Sequence, residues 1–164
     1  MKRGVRFGIV CFLLCGVCLS FFACRPIGKD LLAACKVPFS ASVSGELNGE
    51  KFCAEITATE QERRISFSSP PALNGLELTV SGERVTLCRG SVTIQTNKDS
   101  LRGLLRPLTV LTETTAAPLR IEKQGDQYTA TFPGKLSFTV SDRGLPRFVS
   151  FPEGSFRILD FSRG

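Results

Sequence analysis

Cysteine is the residue type with the most chemical potential in this sequence, because the 164-residue chain contains seven cysteines and no histidine. The absence of histidine removes the commonest general base and the commonest imidazole metal ligand. Beyond residue 23 there is no C-x-x-C pair of the kind that binds zinc, and no S-x-x-K motif that could supply a serine nucleophile. We therefore predict a non-enzymatic protein without a metal or another cofactor.

The first two dozen residues have the pattern of an export signal. Residues 1–7 (MKRGVRF) are basic, and residues 8–24 (GIVCFLLCGVCLSFFAC) form an uncharged apolar run. This run is shorter than the roughly 20 residues that a membrane-spanning helix needs, which favours a cleaved signal peptide over a signal anchor. The sequence therefore predicts an exported protein, with the signal anchor as the alternative.

The end of the apolar run, Phe21-Phe22-Ala23-Cys24, resembles the bacterial lipobox. Ala23 and Cys24 match that motif, whereas the two phenylalanines are bulkier than its usual residues. The resemblance implies a signal peptide over 1–23 and a lipid such as palmitate on Cys24. The protein would then be anchored to the outer face of the cell membrane or, in a two-membrane host, to a periplasm-facing membrane. Lipidation at Cys35, after Leu32-Ala33-Ala34, and secretion without lipid are the alternatives.

Three cysteines remain if Cys24 carries a lipid: Cys35, Cys53 and Cys88. A disulfide between Cys53 and Cys88 is disfavoured, because the strand pattern puts them on the second and fifth strands. At about 4.8 Å per strand they would lie roughly 14 Å apart, against a limit of about 7 Å for the Cα atoms of a disulfide. We predict free thiols.

From Pro38 onward the chain alternates between apolar and polar residues, as in strands with one buried face. Asn48-Gly49 is a strong hairpin signal between two such runs. The pattern predicts a mainly β domain over 38–164, an antiparallel meander of about ten strands on short turns. The last strand, 156–161, is apolar at both alternations, so we expect it to be buried on both faces.

A leucine-rich stretch at 97–113 interrupts the strands and predicts a helical insert that covers the apolar face of the sheet. Pro107 lies inside it, so we expect one kinked helix or two short ones, with Asn97 or Asp99 as the N-cap. Residues 26–37 could form another short helix, or could be a tether from the lipid at 24 to the domain.

The order of these segments resembles the bacterial lipoprotein-carrier superfamily, whose members are LolA/LolB-like half-barrels. The stretch 67–76, FSSPPALNGL, resembles a strand, proline corner and glycine loop that recur there. The resemblance implies a sheet curved into a half-barrel, helices against its concave face and acyl chains held between the two. The resemblance assigns no position in this chain to the switch arginine of the carrier.

Two functions fit these predictions. The first is a membrane-anchored envelope lipoprotein that binds a lipid or a lipoprotein acyl chain between sheet and helix. The second is a non-enzymatic module with a filled core that binds another envelope protein. Beyond residue 23 the chain has 18 basic and 15 acidic side chains, which gives no support for nucleic-acid binding. We expect a monomer. The apolar residues expected to face a ligand are Phe39, Val43, Phe52, Ile56, Phe67, Leu78, Leu101, Leu105, Leu108, Phe132 and Phe138.

Overall fold

The computed structural model describes residues 31, 32, 35, 36 and 38–164. The predicted signal peptide, Cys24 and most of the predicted tether lie outside these residues. Eleven strands follow one another along the described chain. They are β1 (Phe39–Leu47), β2 (Glu50–Ala58), β3 (Arg63–Ser69), β4 (Leu76–Ser81), β5 (Arg84–Arg89), β6 (Val92–Asn97), β7 (Arg120–Gln124), β8 (Gln127–Phe132), β9 (Leu136–Ser141), β10 (Pro146–Phe151) and β11 (Gly154–Arg163).

All the strands belong to one antiparallel sheet with the order β6-β5-β4-β3-β2-β1-β11-β10-β9-β8-β7. Neighbours in the sheet are also neighbours in sequence, except that β1 pairs with β11. This pair joins an N-terminal meander of six strands to a C-terminal meander of five. Among the described residues, strands β6 and β7 have no further neighbour, so the sheet is open. The prediction of a mainly β, antiparallel meander is confirmed, with eleven strands.

The turns form where the sequence predicts them, and they set the register. Asn48 and Gly49 both have positive φ angles, of 51° and 86°, as a type I′ hairpin turn requires. They connect nine residues of β1 to nine of β2 in continuous register, from Leu47 opposite Glu50 to Phe39 opposite Ala58. Alternate residues of both strands are buried, which gives the sheet one apolar face, here called the inner face.

Strand β11 contradicts the prediction that residues 156–161 are buried on both faces. Phe156 and Ile158 are buried on the inner face, but Arg157 and Asp160 are exposed and Leu159 is 65% exposed. The reason is that the helix packs on one side of the sheet only. A central strand of a single sheet keeps its other face in solvent, whatever residues it carries there.

The helical insert forms a 3-10 turn, Asp99–Leu101, followed by α1 (Arg102–Glu113). The Oδ1 atom of Asn97 accepts hydrogen bonds from the backbone N–H of Ser100 (3.0 Å) and from its hydroxyl (2.8 Å), so Asn97 caps this segment. Pro107 lies inside α1 and is buried. The insert is thus a single short α-helix behind a 3-10 turn.

One face of α1 joins the hydrophobic core through Leu105, Leu108, Val110 and Leu111. Ion pairs hold the helix at two places. Glu113 lies 2.7 Å from Arg63 of β3 and 3.1 Å from Lys98. Arg106 lies 3.3 Å from Glu153. The Arg106 guanidinium also stands over the Phe151 ring, 5.7 Å from its centroid, so the helix is fastened to both meanders.

Two described residues before β1 pack onto the sheet and helix of the domain predicted over 38–164. Leu31 and Cys35 are buried in the core, and the backbone N–H of Cys35 donates to the carbonyl of Leu32 at 2.9 Å. Beside this segment, the N–H of Gly164 donates to the carbonyl of Pro38, which brings the C-terminus to the start of β1.

Candidate functional site

The residues predicted to face a ligand lie together on the inner face of the sheet and on α1. Ten of the eleven are buried, and Leu101 is partly buried against the same cluster. Sheet register explains why they meet. Ile56 and Leu78 both flank Ile65, so the three side chains form one row across β2, β3 and β4. Their role in ligand binding stays a prediction.

These side chains pack against each other in one hydrophobic cluster between α1 and the sheet. The Phe52 ring lies edge-on to Phe67 and to Phe156, with centroids 6.1 and 6.4 Å apart. Phe132 and Phe138 are 5.6 Å apart in the same geometry. Such edge-to-face pairs fill a core efficiently. In this conformation the central inner face is a filled core.

A cleft opens beside this core, at the end of α1. We call it the helix-end cleft, and its volume is about 460 Å³. One wall is the segment before β1, and the opposite wall is the end of α1 with the chain that leads to β7. The lining residues are Leu32, Cys35, Lys36, Arg63, Thr112, Thr114, Thr115, Ala116, Pro118 and Phe132. This volume lies within the range of roughly 300–1,000 Å³ that is typical of small-molecule sites.

The helix-end cleft combines apolar surface with two cationic side chains. Leu32, Ala116, Pro118 and Phe132 offer carbon surface, and Phe132 connects the cleft to the core. The hydroxyls of Thr112 and Thr114 donate to the carbonyls of Leu108 (2.9 Å) and Val110 (2.6 Å), so their protons are already used within the helix. An apolar chain would fit these surroundings better than a sugar or another polar ligand.

Lys36 and Arg63 are the cations of this lining. Lys36 is exposed, whereas Arg63 is partly buried and bonded to Glu113 at 2.7 Å. Glu113 also forms an ion pair with Lys98, so one carboxylate neutralises two cations only in part. The local balance therefore favours an anionic group, such as a carboxylate or phosphate, beside an apolar chain.

Cys35 is buried in the wall of the helix-end cleft. Burial raises the pKa of its thiol to about 12, against a smaller lowering by the charge of Arg163. A thiol with so high a pKa is a poor nucleophile at neutral pH. Lipidation at Cys35 would also require removal of Leu31 and Leu32 from their packed positions. The alternative lipid site at Cys35 stays a prediction.

Cys53 and Cys88 lie on β2 and β5, as predicted from the sequence, and are not bonded to another described cysteine. The Cys53 thiol donates to the Ser44 hydroxyl at 3.5 Å, and its hydrogen bonds with Ser44 and Ser69 lower its pKa. Both sulfurs stand on the outer, polar face of the sheet. Within the described ranges, no three His, Cys, Asp or Glu residues cluster as metal ligands.

Two other clefts are more polar. One of about 400 Å³ lies along α1, where Lys98, Arg102 and Arg106 face Asp99 and Glu113. Another of about 560 Å³ lies at the β2–β3 turn, between Thr57 and Glu62. The carboxylates of Glu62, Glu113 and Glu153 already pair with neighbouring cations. Neither cleft offers the apolar surface of the helix-end cleft.

The two free edges of the sheet expose inner-face residues that the helix does not cover. On β6, Val92 is 55% and Ile94 52% exposed. On the β7 side, Leu119 is 72% and Ile121 36% exposed. Register places Ile94 opposite Leu87 and Ile121 opposite Ala130, both on the inner face. Sequence reasoning assigned these residues to strands but could not identify which strands were edges.

No helix among the described residues has the length and apolar character to cross a membrane. No family model matches the chain, and no curated protein matches it. Among solved structures, the chain is similar to an uncharacterized conserved protein from Thermus thermophilus, with a TM-score of 0.55 and 12% identity over 83% of this chain and 86% of that one. That protein shares the fold.

The chain also resembles LolA superfamily protein NE2245 from Nitrosomonas europaea, with a TM-score of 0.37 and 14% identity over 83% of this chain and 76% of that one. A third similarity is to PNGF-II, with a TM-score of 0.37 and 6% identity over 77% of this chain and 27% of that one.

Proposed function

We propose that this protein is a lipid-anchored, exported envelope protein that binds one acyl chain, with an anionic headgroup, in the helix-end cleft. The main observation behind this proposal is the cleft itself. It has a volume of about 460 Å³, apolar walls that include Phe132, and the cations Lys36 and Arg63 in its lining. The sheet would act as a half-barrel around the helix, as in the lipoprotein-carrier superfamily.

The position of the cleft in the chain supports this proposal. Leu32, Cys35 and Lys36 belong to the segment that follows the predicted lipidated Cys24. An acyl chain in the cleft would therefore lie close to the point where the domain leaves its anchor. Each methylene that it buries contributes roughly 0.8 kcal/mol, so about ten buried methylenes contribute the roughly 8 kcal/mol of micromolar binding, before the cost of association is subtracted.

A second candidate function is a protein-interaction module, and the filled core favours it. A carrier that holds several chains needs a cavity between helix and sheet, and this space is occupied by Phe52, Phe67 and their neighbours. The two candidates differ in whether the purified domain binds lipid.

The experiment is native mass spectrometry and fluorescent fatty-acid titration of residues 25–164, exported behind an ordinary signal peptide. Ala116→Trp should fill the cleft without touching the core, because Ala116 is exposed. Ala117→Trp is the matched control, since Ala117 is the next exposed residue and is not part of the lining. We expect Ala116→Trp to weaken binding by about tenfold or more, a loss of at least 1.4 kcal/mol, and Ala117→Trp to leave it unchanged.

A Lys36→Glu variant tests the headgroup separately. It should weaken the binding of a fatty acid while leaving that of an uncharged alcohol of the same length. A protein mass without lipid, together with no uptake of added fatty acid or phospholipid, would reject the acyl-chain site and leave the interaction module as the better hypothesis.

A further inference from the structure

The two free edges of the sheet differ in charge. Strand β7 (Arg120–Gln124) carries Arg120, Glu122 and Lys123, and the first two of these form an ion pair. Strand β6 (Val92–Asn97), with the sequence VTIQTN, has no charged residue and no proline. Charges and prolines are the usual means by which proteins prevent an exposed edge from pairing with another strand. The β6 edge lacks this protection.

The side chains of β6 also leave apolar surface uncovered. Val92 and Ile94 belong to the inner face, because they stand opposite Arg89 and Leu87 of β5, and both are more than half exposed. Thr93 and Gln95, on the other face, are polar and uncharged. A strand added beside β6 would cover Val92 and Ile94 and satisfy the outward N–H and C=O groups that alternate along the edge.

We propose that β6 pairs with β6 of a second copy of this chain, antiparallel and about a twofold axis through Ile94. In this register Ile94 faces Ile94 of the second copy, and Val92 faces Thr96. The twofold axis is perpendicular to the sheet, so both inner faces remain on the same side and the apolar side chains meet across the axis. The contact has the self-complementarity that an isologous interface requires.

The sequence of the edges selects this pairing over the other arrangements. Pairing of β6 with β7 of a second copy would be head-to-tail and would continue without closing, because the assembly would keep one free β6 edge and one free β7 edge after every added copy. It would also place the charged side chains of β7 against the uncharged β6. Pairing of β6 with itself closes at two copies and leaves the charged β7 edges in solvent. The edge is about 20 Å long, so the dimer should be weak and concentration-dependent.

The test is cysteine crosslinking of the full chain expressed in a bacterial host, in a background where Cys53 and Cys88 are replaced by serine. Cα atoms of residues directly opposite each other in an antiparallel pair are about 4.5 to 5.5 Å apart, within the range for a disulfide. Mild oxidation of Ile94→Cys should give a covalent dimer on a non-reducing gel, well above the background of the parent chain. Ile121→Cys, the matched position on β7, should stay at background.

The register is tested with two differently tagged chains that carry Val92→Cys and Thr96→Cys. They should crosslink to each other more than either does to itself. A Val92→Lys change in the Ile94→Cys chain should lower the crosslink by placing charge on the edge. Equal crosslinking of Ile94→Cys and Ile121→Cys, or a product with the mass of a different protein, would overturn the proposal.

Discussion

Gly45 lies at the junction of the two meanders, and its replacement by alanine tests the packing there. On the inner face Gly45 stands between Phe52 of β2 and Phe156 of β11, whose rings are 6.4 Å apart. A Cβ atom at this position would come within 2.5 Å of the Cα and Cβ atoms of Phe156 and still closer to the backbone carbonyl oxygen of Ser155. These neighbours are mostly backbone, so β11 itself would have to move.

The expected cost follows from this geometry. Overpacking of a core costs about 1–3 kcal/mol and more where backbone must shift, against a gain of less than about 1 kcal/mol from the stiffer unfolded chain. We expect Gly45→Ala to lower the free energy of unfolding by about 2 kcal/mol or more. With a urea m-value of about 2 kcal/mol/M, the unfolding midpoint should fall by about 1 M.

The matched control is Gly103→Ala in the exposed first turn of α1, where a Cβ would meet nothing within 4 Å. Alanine has the better helix propensity, so this change should raise the free energy of unfolding by about 0.5 kcal/mol. Urea unfolding, monitored by circular dichroism, measures the free energy of unfolding of both variants. A Gly45→Ala midpoint equal to that of the wild type would refute the tight β1–β11 contact and with it this account of how the meanders join.

Three further predictions concern single side chains. When cells are grown with labelled palmitate, the full chain and the Cys35→Ala variant should carry the label. The Cys24→Ala variant should not, and a labelled Cys24→Ala variant would exclude Cys24 as the lipid site. The pKa of Cys35 is raised to about 12, so its contribution to folding is complete below the unfolded value near 9 and is lost as pH rises toward 12. Between pH 9 and 11 the free energy of unfolding of the wild type should fall by roughly 2 kcal/mol more than that of Cys35→Ala, measured by urea unfolding, and equal losses would contradict burial of this thiol. Asn97→Ala removes both acceptor contacts to Ser100 and should cost about 1 kcal/mol by thermal unfolding, whereas an unchanged midpoint would argue against the cap.

The proposed function and the proposed dimer involve different surfaces. The helix-end cleft is formed by α1, the chain that leads to β7 and the segment before β1, whereas the dimer uses β6 at the opposite edge of the sheet. Loss of lipid binding in Ala116→Trp should therefore leave the crosslinking of Ile94→Cys intact. We expected a monomer from the sequence, because nothing in it identified β6 as an unprotected edge.

The amino-acid sequence by itself determined the strands, their turns and the residues of the core. Alternation of apolar and polar residues identifies the buried face of each strand, and Asn48-Gly49 identifies a type I′ turn. Both signals can be read from the sequence because they depend on neighbouring residues alone. The leucines of 101–111 likewise indicated the helix, and the sequence offered Asn97 or Asp99 as its start, of which the structure uses Asn97. These predictions needed no knowledge of which strands meet.

Tertiary structure alone decided the features that depend on distant residues or on volume. The β1–β11 pair joins the two ends of the domain and thereby makes β6 and β7 the edges. Leu159 is exposed because no second layer among the described residues covers the outer face, and Leu31 is buried because it joins the hydrophobic core. Whether phenylalanines enclose a cavity or fill it depends on how their volumes fit together, and hydrophobic periodicity is the same in both cases.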